Sequence, residues 1–364
     1  MNNSDKKYYF LFTAVSFVFV VLTTNYISLS DIIYVANQSD VISYIEIAKK
    51  APLLKLESDI IIQHVAQRFL IPYVVGFIAF FLNIDFYFVF KIFTIFAIII
   101  YIFLINLIIK SFNFNLKVSI LFFSVLFLNP YIVRYHLFNP VQAHDMLFFC
   151  FGLIFFITIL SKNYYINVAI TLIAAYLRQT SIALLIGLSI FLLINKRIKL
   201  FLILFSFYCF SLFLTIKTGK LISNDEFPIH LSYGIIFYDF SQFEKFIKFL
   251  LLGIMPFMPL IIIFFGKVNK NISISSAIIL LFVCTMMIGQ PIIAGPDGST
   301  NNVGRIANLC YPILACFCFY IFNFEKFINK NYLFFTFILA MFFWSLHPTF
   351  SIFKFFGVLR FYNY

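Results

Sequence analysis

Apolar runs close to the length of a membrane crossing recur from one end of this chain to the other, and nearly every charge falls between them. A hydrocarbon layer about 30 Å thick needs roughly 20 apolar residues of helix, and a backbone inside it must satisfy its own hydrogen bonds. The runs are continuous rather than alternating, which excludes a β-barrel. Of 364 residues, 63% are hydrophobic and 11% charged, with a mean hydropathy of +1.02, a balance no soluble domain tolerates. The expectation is an all-α, polytopic transmembrane helical bundle, a single integral-membrane domain over 1–364 with no soluble C-terminal domain.

The net charge of +12 does not indicate nucleic acid. Most lysines fall in short loops between runs, which is how orientation is set; the remainder suit anionic headgroups or phosphates. The six cysteines (150, 209, 284, 310, 316 and 318) lie within apolar runs and read as small buried hydrophobes. Lys6 and Lys7 precede an apolar run from about Tyr8 to Leu29 that no small-x-small cleavage site follows. That run reads as an uncleaved first span in a plasma (inner) membrane, N-terminus cytoplasmic.

A polar stretch, Asp31–Arg68, follows and reads as outside. Phe69–Asn83 is short for a span and contains Pro72 and Gly76, so it reads as an interfacial or re-entrant helix on the outer side; 31–85 together form the first outer loop. The remaining spans are then about 86–109, 118–133, 146–160, 164–177, 181–194, 200–216, 246–265, 272–288, 306–322 and 332–346, about 11 in all, with the C-terminus outside. Arg134–Asp145, Lys217–Lys245 and Gln290–Arg305 become outer loops, and Pro296-Asp297-Gly298 a turn. In this register the inner loops carry lysine and arginine, with Glu325 the exceptional acid. No internal repeat is visible, which weighs against many transporter architectures.

Charges at the mouths of such spans are costly and mark candidate sites. The first outer loop contains Asp40, Tyr44, Glu46 and Ala48, then Arg68, Leu70 and Pro72. His144 and Asp145 immediately precede a span, Arg178 separates two apolar runs, and Arg305 lies at another boundary. A carboxylate at the surface can take a proton from an attacking hydroxyl. Arginine, planar and permanently charged, suits a phosphate leaving group. Asp40 and Asp145 are thus the candidate catalytic acids. Arg68, Arg178 and Arg305 are candidate phosphate ligands, with Tyr44, Glu46 and His144 beside them.

The order and spacing of these residues resembles the GT-C superfamily of integral-membrane glycosyltransferases, such as protein O-mannosyltransferases and lipid A aminoarabinose transferases. Asp40, Tyr44 and Ala48 match an Asp-x-x-x-Tyr-x-x-x-Ala-like setting after the first span. Arg68, Leu70 and Pro72 match the opening of a peripheral helix, Asp145 a second acid closing the second outer loop, and Arg178 a charge between spans 5 and 6. The resemblance covers about the first 200 residues. It implies transfer of a sugar from a polyprenyl-phosphate carrier to a glycan, lipid or protein acceptor on the outer face, by an inverting hexosyltransferase-like reaction in which Asp40 is the general base. Asp145 would position donor or acceptor, or bind a divalent ion if one is used. Relatives often carry two adjacent acids where this chain has Asp40 alone, with Glu46 six residues on; metal use is therefore open. Two other readings remain: an O-antigen or capsule polymerase, and a non-enzymatic transporter or flippase, which requires charges inside spans.

Overall fold

The computed structural model describes residues 3–24, 39–53, 61–223, 234–236, 238–239, 241–268, 273–299 and 303–346. Asp31, Glu57, Asp59, Asp225 and Glu226, and the side chains of His64 and Asp297, all assigned by sequence to outer loops, lie outside this description, as does the C-terminus beyond Leu346. The protein is all-α and polytopic. Its principal helices are α1 (Asn3–Thr23), α2 (Ser39–Lys50), α3 (Leu70–Leu82), α4 (Phe86–Ser111), α5 (Leu116–Phe127), α6 (Ala143–Leu160), α7 (Tyr164–Leu177), α8 (Ile182–Ile194), α9 (Ile198–Ile222), α10 (Phe243–Ile254), α11 (Ile274–Ser299), α12 (Tyr311–Ile321) and α13 (Asn331–Ser345). The strands β1 (Lys267–Val268) and β2 (Phe322–Asn323) form one short antiparallel bridge.

Among the described residues, eight helical stretches are long and apolar enough to cross a membrane: 3–23, 86–111, 116–138, 140–160, 198–222, 243–265, 274–296 and 303–321. Four shorter apolar helices, 70–82, 164–177, 179–194 and 331–345, accompany them. Their outward faces are those of a protein in lipid. Along α4, Phe88, Ile92, Phe96, Ile99 and Phe103 are exposed at helical spacing, forming one apolar stripe. On α9 the pattern is inverted relative to a soluble helix. Leu202, Phe205, Phe207, Phe210 and Phe213 face outward, whereas Tyr208, Ser211, Thr215 and Gly219 are buried. Without a hydrophobic drive between helices in lipid, small and hydroxyl-bearing residues make the contacts; Ser181 and Tyr208 share a hydrogen bond of 2.7 Å.

The chain divides into two compact units: residues 1–26, 102–135 and 230–364 form one, and 27–101 and 136–229 the other. In the second unit, Val41, Tyr44, Ile45 and Ala48 of α2 pack against Ile71, Val75 and Ala79 of α3 and Val89 and Phe90 of α4. Helices α2 and α3 approach so closely at Gly76 that a Cβ there would fall within the carbonyl group of Ala48. At about 1.5 Å per residue the 13 residues of α3 extend about 20 Å, short of a hydrocarbon core. Of the six cysteines, five are buried and Cys209, on the outward face of α9, is exposed.

In the first unit, Asn129 and Pro130 end α5 and start a π-helical turn, Pro130–Arg134, which carries the chain into a further turn at Tyr135–Phe138. The Asn129 side chain accepts from Tyr131 N and donates to Pro256 O, at 3.0 and 2.9 Å. The segment 134–145, expected as an outer loop, is therefore a succession of short helical turns, all but two of its residues buried. Pro130 and Pro140 occupy first-turn positions of these turns, where their missing N–H costs nothing. The expected loop 290–305 is also corrected in part. Helix α11 continues to Ser299, interrupted only at Gly295, whose φ of 70° takes the left-handed region open to glycine. Similarly, α9 continues to Ile222, through Lys217 and Lys220.

Arg134 is 1% exposed. Its guanidinium donates to Thr23 Oγ1 at 2.7 Å and Ser345 Oγ at 3.1 Å, at the ends of α1 and α13, with Thr24 Oγ1 at 3.4 Å. Among the described residues no carboxylate pairs with it. Thr23 and Thr24 also donate back to Phe19 O and Val20 O, so they need not lose their only partner with Arg134. Methionine, of similar length, removes the cost of holding a buried cation that no carboxylate compensates. Arg134→Met is therefore expected to hold thermal stability within about 1 kcal/mol of the parent, or raise it; a loss of several degrees in the melting temperature in detergent would contradict this.

Candidate functional site

The second unit assembles a continuous polar network inside an otherwise apolar body. Its anchor, Asp145, lies in the first turn of α6, where the helix dipole favours negative charge. Asn139 and Pro140 set the preceding 3-10 turn, Pro140–Gln142, which delivers His144 and Asp145 inward. Arg178 stands where α7 stops. Its backbone is extended (φ −156°, ψ 137°), its N–H caps Ala174 O, and the chain restarts as a helix at Gln179. That break lets a guanidinium leave an apolar helix and meet Asp145 side-on: Arg178 Nε donates to Asp145 Oδ1 and Arg178 Nη2 to Asp145 Oδ2. Asp145 is 0% and Arg178 2% exposed.

His144 Nε2 lies 3.1 Å from Asp145 Oδ1 and 3.1 Å from Tyr44 Oη. A carboxylate only accepts, so the contact with Asp145 requires a proton on Nε2. Nδ1 of His144 is buried and has no hydrogen-bond partner among the described residues. Nδ2 of the buried Asn139 is in the same position. Such groups are costly to leave unmade, and in a native site they mark places for water or a bound molecule.

Tyr44, on α2, extends the network to the half-buried Arg68. Arg68 Nη1 donates to Tyr44 Oη at 3.2 Å and Nε to Gln179 Oε1 at 2.7 Å, while Gln179 Nε2 donates to Gln67 Oε1 at 3.0 Å. Burial, above all, pushes the Tyr44 phenol above its ordinary range; the charge of Arg68 opposes this and that of Asp40 adds to it. Tyr44 is therefore a neutral hydroxyl. Asp40 lies one helical turn before Tyr44, in the first turn of α2, and is partly exposed.

Six of the eight residues singled out by sequence thus come together: Asp40, Tyr44, Arg68, His144, Asp145 and Arg178. Glu46 instead pairs with Lys50 at 3.6 Å along the surface of α2. Arg305 belongs to the other unit, 8% exposed, with Nη1 3.5 Å from Tyr135 Oη. Three participants were not picked out: Gln67, Gln179 and Asn139. The two glutamines have a sequence signal only in being next to Arg68 and Arg178; Asn139 has one in the Asn-Pro turn before His144-Asp145.

The residues around Asp145 do not suit a divalent cation. Both its oxygens are engaged by Arg178, whose charge opposes a second cation, and no group of three or more His, Cys, Asp or Glu side chains is gathered for a metal among the described residues. Compared with known protein families, curated proteins and solved structures, the chain matches none.

Proposed function

We propose that the chain is a membrane glycosyltransferase of GT-C type, with about 11 spans, an N-terminus in the cytoplasm of an inner (plasma) membrane and its site on the outer face. It moves a sugar from a polyprenyl-phosphate carrier to a glycan, lipid or protein acceptor. The observation that carries the reading is the gathering of Asp40, Tyr44, Arg68, His144, Asp145 and Arg178, from four separated segments, within one unit. Asp40, partly exposed in the first turn of α2, serves as general base toward the acceptor hydroxyl. Arg68, half-buried, meets the carrier phosphate as charge develops on it. Asp145 holds Arg178 and His144 in place, and His144 Nδ1 and Asn139 Nδ2 offer hydrogen bonds to sugar hydroxyls.

The test is turnover of radiolabelled polyprenyl-phosphate hexoses by the protein in nanodiscs. Asp40→Asn, present at parental levels, is expected to lower transfer by at least about 100-fold, the lower range of general-base catalysis. Full activity of Asp40→Asn, or no release of polyprenyl phosphate by the parent from any donor, removes the reading.

One observation favours a transporter or flippase instead: Arg134, His144 and Asp145 are buried within span-length helical stretches, as charges lining a translocation path would be. Single cysteines near 40, 115, 145 and 297 in a Cys-free background separate the two readings. Labelling of 40, 145 and 297 from one side and 115 from the other fits the transferase. Labelling of 40 and 145 from opposite sides fits the transporter.

A further inference from the structure

Glu325, the exceptional acid among loops otherwise rich in lysine and arginine, lines a cavity of about 380 Å³ in the first unit. That volume lies within the range of small-molecule sites. The cavity is walled by six aromatic rings, among them Phe112, Tyr320, Phe322 and Phe324, with three asparagines and Glu325; no lysine or arginine lines it. Its geometry is built rather than incidental. Asn115 caps the start of α5, accepting from Val118 N at 3.0 Å. Asn323 Oδ1 accepts from Glu325 N at 2.8 Å, fixing the loop that carries the acid. The bridge between β1 and β2 holds Phe322 extended. A Cβ on Gly266 would come within 2.8 Å of Phe322 Cβ and 2.9 Å of Phe324 Cε1, so the glycine lets both rings take their places. Lys117, the nearest lysine in sequence to the lining of α5, donates instead to Asn331 Oδ1 and Ile328 O, at 2.8 and 3.2 Å. No cation pairs with Glu325 among the described residues.

Aromatic faces carry a negative quadrupole that attracts organic cations, and a carboxylate among them selects charge over mere apolarity. We propose that this cavity binds an alkylammonium group, with Glu325 as its counter-ion and the surrounding rings as its walls. The group comes either from a free amine or from the headgroup of an aminophospholipid, and the site is independent of the transferase reading. The test is equilibrium binding of radiolabelled choline to the full chain in phosphatidylglycerol nanodiscs, alongside 3,3-dimethylbutanol, its neutral carbon isostere. Choline is expected to bind saturably and at least tenfold more tightly than the isostere. Glu325→Gln, an exposed substitution that leaves the rings in place, is expected to weaken choline at least tenfold. Loss of choline binding in phosphatidylethanolamine nanodiscs, through competition, would assign the site to a lipid headgroup; equal binding in both lipids would assign it to a soluble amine. No saturable choline binding, equal affinity for the neutral isostere, or a Glu325→Gln variant that binds as the parent does would overturn the proposal.

Discussion

Arg178→Met is expected to destabilise the protein by about 3–5 kcal/mol, the usual result of stranding one member of a buried ion pair. Asp145 would keep its charge in an apolar body without the guanidinium that engages both its oxygens, His144 Nε2 still lying 3.1 Å from Oδ1. Removing the other member as well, in Arg178→Met with Asp145→Leu, takes away the stranded charge and should recover most of that loss, because apolar replacement of a whole buried pair is often neutral or stabilising. The double-mutant comparison isolates the coupling. It is read by reversible denaturation in mixed micelles, with transfer followed separately: both variants should be inactive, while only the single one is unstable. If Arg178→Met lost less than about 1 kcal/mol, the pair would behave as a surface salt bridge and the buried network would lose its anchor. The contrast with Arg134→Met, expected near neutral, rests on one difference: Arg178 faces a carboxylate, whereas Arg134 faces hydroxyls.

Gly76→Leu is the second substitution with a large expected effect. The obstacle to a side chain here is the backbone carbonyl of Ala48, which cannot rotate aside as a flexible side chain would. Overpacking at such contacts costs about 1–3 kcal/mol, occasionally more, and here α2 must also move away from α3. Because α2 carries Asp40 and Tyr44, the displacement should separate Tyr44 from His144, now 3.1 Å apart, and from Arg68, at 3.2 Å. Transfer should therefore fall further than stability. Gly289→Ala is the control: nothing lies within 4 Å of a Cβ at that position of α11, so exchanging a helical glycine for alanine should stabilise by about 0.5–1 kcal/mol. Equal melting temperatures for Gly76→Leu and the parent would refute the close approach.

Much of the helical plan was legible in sequence because hydropathy acts locally: each apolar run announces itself whatever it packs against. The same is true of the residues in the network. Asp145 and Arg178 stand out because a charge inside or beside an apolar run needs a physical reason. What sequence does not carry is partner choice. Asp145 and Arg178 are 33 positions apart, and nothing local to either says that they meet side-on. Glu46, only two residues beyond Tyr44, turns to Lys50 because alternate residues of a helix leave on opposed faces. The segment 134–145 misled for a different reason. Asn-Pro at 129–130 and again at 139–140 has the composition of a turn, yet each proline begins a new helical turn rather than leaving the helical path. Pro296-Asp297-Gly298 similarly reads as a turn, where α11 only kinks, at Gly295.

The unequal burial of the six thiols supplies an internal gauge of folding. Under native conditions, a small maleimide should leave the five buried cysteines intact and react only slowly with Cys209, whose thiol faces hydrocarbon and is poorly ionised, adding at most a single mass increment. A chain that has opened should acquire up to six. Mass spectrometry after brief alkylation would thus grade any variant as intact or collapsed without knowledge of its substrate, so that a lost activity can be assigned to chemistry or to folding from one sample.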